Sequence, residues 1–272
     1  MQPIESGTEP TDARRFMRRR TLFVAIGTLV AVVIAGGVYL ATNNPGNASV
    51  SPATPRTAPP SADQQLVDSI NLRLTDLPAG WTRVPPISSA LTPAQKRSQA
   101  KAVDQFAGCL GMPQAFIGGL FGTLAQKDQS AAGDSPTFAG AATSTTIAQS
   151  HATVVKTATD ATADAVPFTK SNFTSCFSQF QNASASAQVS GGTAQTATAT
   201  LFAPPTGVGV YGFVTTSTLP GHGSVVSEII FMIGGRTETG LTLQATGTSI
   251  ASDVVDSVYS AMAQRIADAG RT

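Results

Sequence analysis

Residues 224–246 read SVVSEIIFMIGGRTETGLTLQAT, two β-rich runs on either side of Gly234-Gly235. A glycine pair between such runs is a hairpin signal, because a two-residue turn needs φ > 0. With both glycines in the turn, Ile233 pairs with Arg236 and Glu228 with Leu241. Side chains alternate across a strand, so Val226, Glu228, Ile230 and Met232 share one face with Leu241 and Leu243. Ile229 and Phe231 lie on the opposite face, beside Gly240 and Thr242. Both faces carry apolar residues, so both are expected to be covered, and helices are the natural cover.

Outward from the hairpin, Thr193–Phe202 and Val208–Thr218 are two further strand-like runs, preceding Ser224–Ile233 and Arg236–Thr246. Pro204-Pro205 and Leu219-Pro220-Gly221 separate them, a spacing that predicts an antiparallel meander. A final helix is expected over Ser249–Asp268, with Val254, Val255, Val258 and Met262 inward. Upstream, Ser171 is the expected cap of a helix bearing Phe173, Cys176, Phe177 and Phe180 on one face. Asn182–Gly192 reads as a small-residue loop, and Phe138–Lys156 as a Thr-rich strand with a break. Thr92-Pro93-Ala94-Gln95 opens another helix, with Thr as N-cap, Pro at the first position and Gln at the third. Val103, Phe106, Ala107 and Leu110 form its apolar face, and Gly111 ends it. Met112–Leu124 is apolar and Gly-rich, an expected second, looser helix. Leu77-Pro78-Ala79-Gly80 turns into a short strand, Trp81–Val84, whose Trp is expected to anchor the core or its rim. The fold class is α+β: an antiparallel sheet meander with packed helices, preceded by one transmembrane helix.

That membrane helix is read from the N-terminal charge pattern. The net charge of +1 conceals a segregated arrangement. Residues 1–20 carry Arg14, Arg15, Arg18, Arg19 and Arg20 against Glu5, Glu9 and Asp12, whereas 21–41 carry no charge at all. Twenty-one residues make about 31 Å of helix, matching a hydrocarbon core of about 30 Å. The arginines place the tail in the cytoplasm and the rest outside the plasma membrane. A cleaved secretory signal is the competing reading, although its apolar stretch usually runs only about 7–15 residues. Residues 42–62, with five prolines among small polar residues, form a semi-extended linker to an extracytoplasmic domain over 63–270.

Composition excludes several classes. Ala, Thr and Ser make up 101 of 272 residues, while charged residues are 12%, about half the usual share. Without a basic excess, electrostatic nucleic-acid binding has no footprint. With 42% apolar residues the chain is not a highly charged disordered one, and two cysteines do not make a disulfide-dense scaffold.

In an oxidising compartment Cys109 and Cys176 are expected to form one disulfide, stabilising by about 4 kcal/mol in the chain-entropy model. A Cys nucleophile would need a nearby His with an orienting partner, and His151 is the nearest in sequence. Gly207-Val208-Gly209-Val210-Tyr211-Gly212 matches a dinucleotide fingerprint in form, but strand residues follow where a helix must begin. Those glycines instead mark a bulge or close packing. His222 is expected at an exposed hairpin tip. Glu228, set among apolar residues, is a candidate cleft residue for a cationic or hydroxylated ligand, with a raised pKa. Pairing with an Arg, or a place at an uncovered sheet edge, is the alternative. No catalytic, metal or cofactor signature is present, and no cofactor is expected.

The order D-L-P-x-G-W (76–81), a helix ending in Cys109, a Thr-rich strand, an N-F-x-S-C helix (172–176), a meander and a last amphipathic helix carries a resemblance. It resembles the sensor-type extracytoplasmic domains of actinobacterial envelope proteins, including those outside mycobacterial membrane kinases. It is also similar to small actinobacterial lipoproteins with the sandwich fold of the photosystem oxygen-evolving subunit P. The resemblance covers most of 68–270 and implies a ligand- or partner-binding module rather than an enzyme. The two-disulfide form of the kinase domains is not matched. Expected partners are the membrane, through a single anchor, and an envelope protein or a small-molecule or lipid ligand, with no nucleic acid. An envelope assembly protein that uses the domain as a docking surface is the alternative. An envelope hydrolase would need an Asp/Glu pair or a Ser/His group converging in space.

Overall fold

The hairpin closes one residue later than the two glycines imply. Gly234 pairs with Thr237, so Gly235 and Arg236 form the turn, with Gly235 at φ 57°. Glu228 therefore pairs with Leu243 rather than Leu241. A shift of two residues along one strand keeps every side chain on its own face, so the division of the two faces holds. Gly234 is required for another reason: a Cβ there would lie 2.8 Å from Ile266 Cγ2, on the C-terminal helix.

The computed structural model describes residues 59–85, 92–114, 117, 128–140, 146–247 and 249–271. The tail 1–20, the expected span 21–41, nearly all of the linker and most of Met112–Leu124 lie outside these. Among the described residues no helix is long and apolar enough to cross a membrane.

The elements run α1 (Ala62–Ile70), β1 (Thr82–Val84), α2 (Pro93–Leu110), β2 (Gln129–Asp134), β3 (Thr137–Ala139), β4 (Ile147–Val155), α3 (Ala158–Ala165), α4 (Phe173–Gln188), β5 (Thr193–Thr198), β6 (Val208–Leu219), β7 (Gly223–Gly234), β8 (Thr237–Thr246) and α5 (Ser252–Ala269). The fold is α+β, an antiparallel eight-stranded sheet in the order β1-β3-β4-β8-β7-β6-β5, with β2 pairing the far half of β4. The expected meander is β5 to β8. The break expected within 138–156 is the connection between β3 and β4, which pair with each other.

Local chemistry accounts for the helix ends. Thr92 and Gln95 form the expected capping box of α2, and Gly111 ends it at φ 62°. At α4 the structure corrects two expectations. Its N-cap is Asn172, not Ser171, and the Asn172 amide donates to the Cys109 carbonyl at 2.9 Å instead of capping its own helix. The helix also runs through Gln188, where a loop from Asn182 was expected. Its small polar residues are stitched to β5 and the residue before it: Ala194 N–H donates to Asn182 Oδ1, and Ser186 Oγ to the Gly192 carbonyl. Strand β5 ends at Thr198, short of the expected Phe202.

Helices cover both sheet faces. On one, α1 and α5 bury Val67, Ile70, Val258, Met262 and Ile266 against Ile230, Met232, Leu241 and Leu243. Arg265 of α5 fastens this side through two hydrogen bonds to Asp76, at 2.8 and 2.7 Å. Trp81 packs on its rim. On the other face lie α2, α3 and α4, with α2 against α4. Cys109 and Cys176 are joined across that helix pair, with a Cα–Cα distance of 5.8 Å.

Candidate functional site

The register lays out the face beneath α2, α3 and α4 as rows running across the strands. One row holds Asp134, His151, Gly240, Phe231 and Tyr211. The next holds Gln149, Thr242, Ile229 and Phe213, and the third Ile147, Gln244, Ser227 and Thr215. Moving from the first row to the third, aromatic side chains give way to amides and hydroxyls.

The helices above change in the same direction. Phe106 lies against Phe173, Phe177 and Phe180 at centroid distances of 5.7, 5.9 and 5.5 Å, so α2 and α4 run antiparallel from the disulfide. Phe173 and Phe177 reach Phe213 on the sheet at 4.9 and 5.4 Å, and Phe168 reaches Phe231 at 4.7 Å. Ring pairs at such separations add to the area they bury. One or two turns away, the same stripes become polar. Gln99 extends the Val103 and Phe106 stripe of α2, while Ser184 and Gln188 extend the Phe177 stripe of α4, both at helical spacing.

At that end hydrogen bonds run short. Gln244 is 1% exposed, yet neither its Oε1 nor its Nε2 has a partner among the described residues. The same holds for Gln99 Oε1, Ser184 Oγ and Gln188 Oε1. Thr215 pairs with Thr196, hydroxyl to hydroxyl, at 2.9 Å. Buried polar atoms without partners are few in native proteins, so a group of them on facing elements needs an explanation. The row beside them, with Gln149, Thr242 and Ile229, is half-exposed.

The residues singled out in the sequence do not gather there. Cys109 and Cys176 are bonded to each other, so neither offers a thiol. His151 sits on β4, its Nδ1 2.7 Å from Asp134 Oδ1 and its Nε2 3.3 Å from Thr153 Oγ1. The order carboxylate–imidazole–hydroxyl is that of a nucleophilic relay, but Thr153 is only 6% exposed. His222 lies in the turn between β6 and β7, half-buried rather than exposed. Gly212 takes the close-packing role: a Cβ there would lie 2.5 Å from Leu201 Cδ1.

Glu228 lies on the opposite sheet face, beneath α5 and between Val214 and Leu243. Its Oε2 is buried without a partner among the described residues. Burial, and then the charge of Asp256, push its pKa above the ordinary carboxylate value. Among the described residues no Arg pairs with it; the neighbour that matters is a second carboxylate, Asp256. Away from both places, an open cleft of about 430 Å³ lies between α1 and the β1–β3 edge, with Arg73, Arg83, Leu72, Leu74 and Phe138 in its lining. Among the described residues no group of three or more His, Cys, Asp or Glu is placed to hold a metal ion.

Comparison with known protein families, with curated proteins and with solved structures finds no match for this chain.

The Gln244 group escaped the sequence reading, though a signal for it was present. In LTLQAT the alternation marks Thr242 and Gln244 as outward-facing. If both faces of the hairpin are covered, outward no longer means solvent, and each polar residue there needs a partner.

Proposed function

We propose that this protein is a membrane-anchored extracytoplasmic binding module of the cell envelope. It would have its tail (1–20) in the cytoplasm, a retained helix (21–41) through the plasma membrane, a linker (42–62) and one α+β domain beyond. The observation that carries this is the Cys109–Cys176 bridge behind an Arg-flanked, charge-free stretch of 21 residues. A structural disulfide belongs to an oxidising compartment, the side of the membrane to which the arginine pattern assigns the domain. A binding role, rather than catalysis, is supported by the sheet face with its half-exposed rows of polar and aromatic residues. The resemblance to sensor-type domains points the same way. Docking of an envelope protein is a second reading, favoured by Phe202, which stands 62% exposed before Ala203-Pro204-Pro205.

The topology is tested with the full chain in membranes. Alkaline carbonate should leave it in the membrane fraction. A membrane-impermeant maleimide should label an Ala58→Cys variant on intact cells but not a Ser6→Cys variant. The native cysteines should react only after reduction. Release by carbonate, or free native thiols in the untreated protein, would contradict the reading.

A further inference from the structure

We infer that the cleft between α1 and the β1–β3 edge binds a small organic anion, an oxyanion group carried on a short apolar body. This rests on the binding-module reading and gives it a place and a ligand class. The cleft opens to solvent and holds about 430 Å³, within the usual size of small-molecule sites. Two arginines belong to its lining, Arg73 just beyond α1 and Arg83 on β1, and both are exposed. Neither forms an ion pair with a described residue. The carboxylates around them are engaged elsewhere. Asp76 is held by two hydrogen bonds from Arg265 and takes only the backbone N–H of Arg73. Asp134, although in the lining, turns its carboxylate to the other sheet face, 2.7 Å from His151 Nδ1. That leaves Asp68 in the lining, which accepts from Gln64 Nε2 at 3.1 Å. Two guanidinium groups against one such carboxylate leave a place for a single negative charge.

The walls stand apart before any ligand arrives, because buried hydrogen bonds fasten them. Ser150 Oγ, on β4, donates to Asn71 Oδ1 and accepts from the Leu72 N–H, both at 2.8 Å. Asn71 Nδ2 donates to the Gly133 carbonyl at 3.0 Å, and the Ser150 N–H donates to Ser135 Oγ at 2.8 Å. These bonds tie the end of α1 to β4 and to the turn between β2 and β3, so little ordering is left for binding to cost. Arg73 Nη2 donates to the Ser69 carbonyl at 2.6 Å, which steadies that guanidinium. The fork of a guanidinium matches two oxygens of a carboxylate or a phosphate. A bare anion would gain little, since exposed charge pairs in water are weak. The rest of the lining supplies what a bare ion lacks. Leu74, next to Arg73, is 45% exposed, while Leu72 and Phe138 at the base are 2% and 3% exposed. An apolar body laid over Leu74 removes that surface from water.

The test uses the full chain in phosphatidylcholine nanodiscs at about 50 mM salt, where exposed charges are weakly screened. Saturation-transfer NMR reads phenyl phosphate and hexanoate at about 5 mM, a range suited to weak binding, against empty nanodiscs. Acetate is the anion without an apolar body, and hexanol the body without a charge. At least one of the two anionic probes should receive more magnetisation than both controls. Arg83→Gln and Arg73→Gln should each lower its affinity about threefold to tenfold. Both residues are exposed, so an unchanged thermal midpoint should accompany the loss. Lys101→Gln, an exposed cation on α2 outside the cleft, should leave binding as it is. Phosphatidylglycerol placed in the nanodisc should displace the probe where a lipid headgroup is the source of the anion and leave it bound where a dissolved anion is; either result upholds the site. No transfer above empty nanodiscs for either anionic probe overturns the proposal. Binding that neither arginine variant weakens, or that Lys101→Gln weakens equally, overturns it as well. Hexanol matching hexanoate overturns the anionic assignment, and acetate matching it overturns the apolar one. None of these results bears on membrane retention or on thiol protection, so the binding-module reading fails or survives by its own test.

Discussion

The two ends of the layer beneath α2 and α4 differ in a way that the two faces of the sheet do not. Near the disulfide, Phe106, Phe173, Phe177 and Phe213 fill the space with rings and leave little to satisfy. One or two turns further along the same helices, Gln99, Ser184 and Gln188, like Gln244 on β8, carry buried polar atoms that lack partners among the described residues. One end is built for stability. The other carries a cost that stability alone does not explain. Because the same pair of helices forms both, the aromatic end can hold the polar end in place without the polar end contributing to its own cohesion.

The largest way to break this comparison is to attack the aromatic end. Phe106→Ala should lower stability by about 3–5 kcal/mol, the usual cost of deleting a buried aromatic side chain, measured by chemical denaturation. A comparable loss, about 4 kcal/mol in the chain-entropy model, is expected for the Cys109→Ser and Cys176→Ser double variant, since the bridge closes a separation of 67 residues. Equilibrium unfolding with and without reductant checks it: the wild type should fall to the variant's level on reduction, and the variant should not respond.

Smaller effects sharpen the contrast with the other face. Folding raises the Glu228 pKa above 4.5, so the folded state holds its proton more tightly than the unfolded chain does. The sign follows from linkage: ionisation of Glu228 opposes folding, and that cost grows as pH rises from about 4.5 through the raised value. Glu228→Gln should therefore raise the thermal midpoint at pH 7 and change it little at pH 4. A gap that widened on acidification would contradict the assigned cause.

Much of the fold was legible because its signals are local. Alternation fixed the faces of the hairpin even though the turn was misplaced by one residue, since the displacement along β8 was even. Thr92, Pro93, Gln95 and Gly111 marked both ends of α2. Where the signals were weak, elements were missed. Helix α3 (Ala158–Ala165) reads ATDATADA, too short and Ala/Thr-rich to show a stripe, although Thr157 and Asp160 form its capping box. Strand β2 reads QSAAGD, with almost no β-branched or aromatic side chain, and α1 is only nine residues long. The end of α4 reads as a loop because Asn182, Ser184 and Ser186 favour turns, and the bonds of Asn182 to Ala194 and of Ser186 to Gly192 are tertiary facts. The candidate site was least legible of all. It depends on which face of a polar-looking strand a second layer covers, and no single strand records that.

The polar end is most directly tested by the thermal midpoint of Gln244→Leu against wild type, both free of added ligand. Replacing a buried amide whose donor and acceptor are both unmet by an apolar side chain of similar size should remove a penalty of about 1–3 kcal/mol. The midpoint should rise. A fall in the midpoint would show that Gln244 is already satisfied in the free protein, and the contrast between the two ends of the layer would not stand.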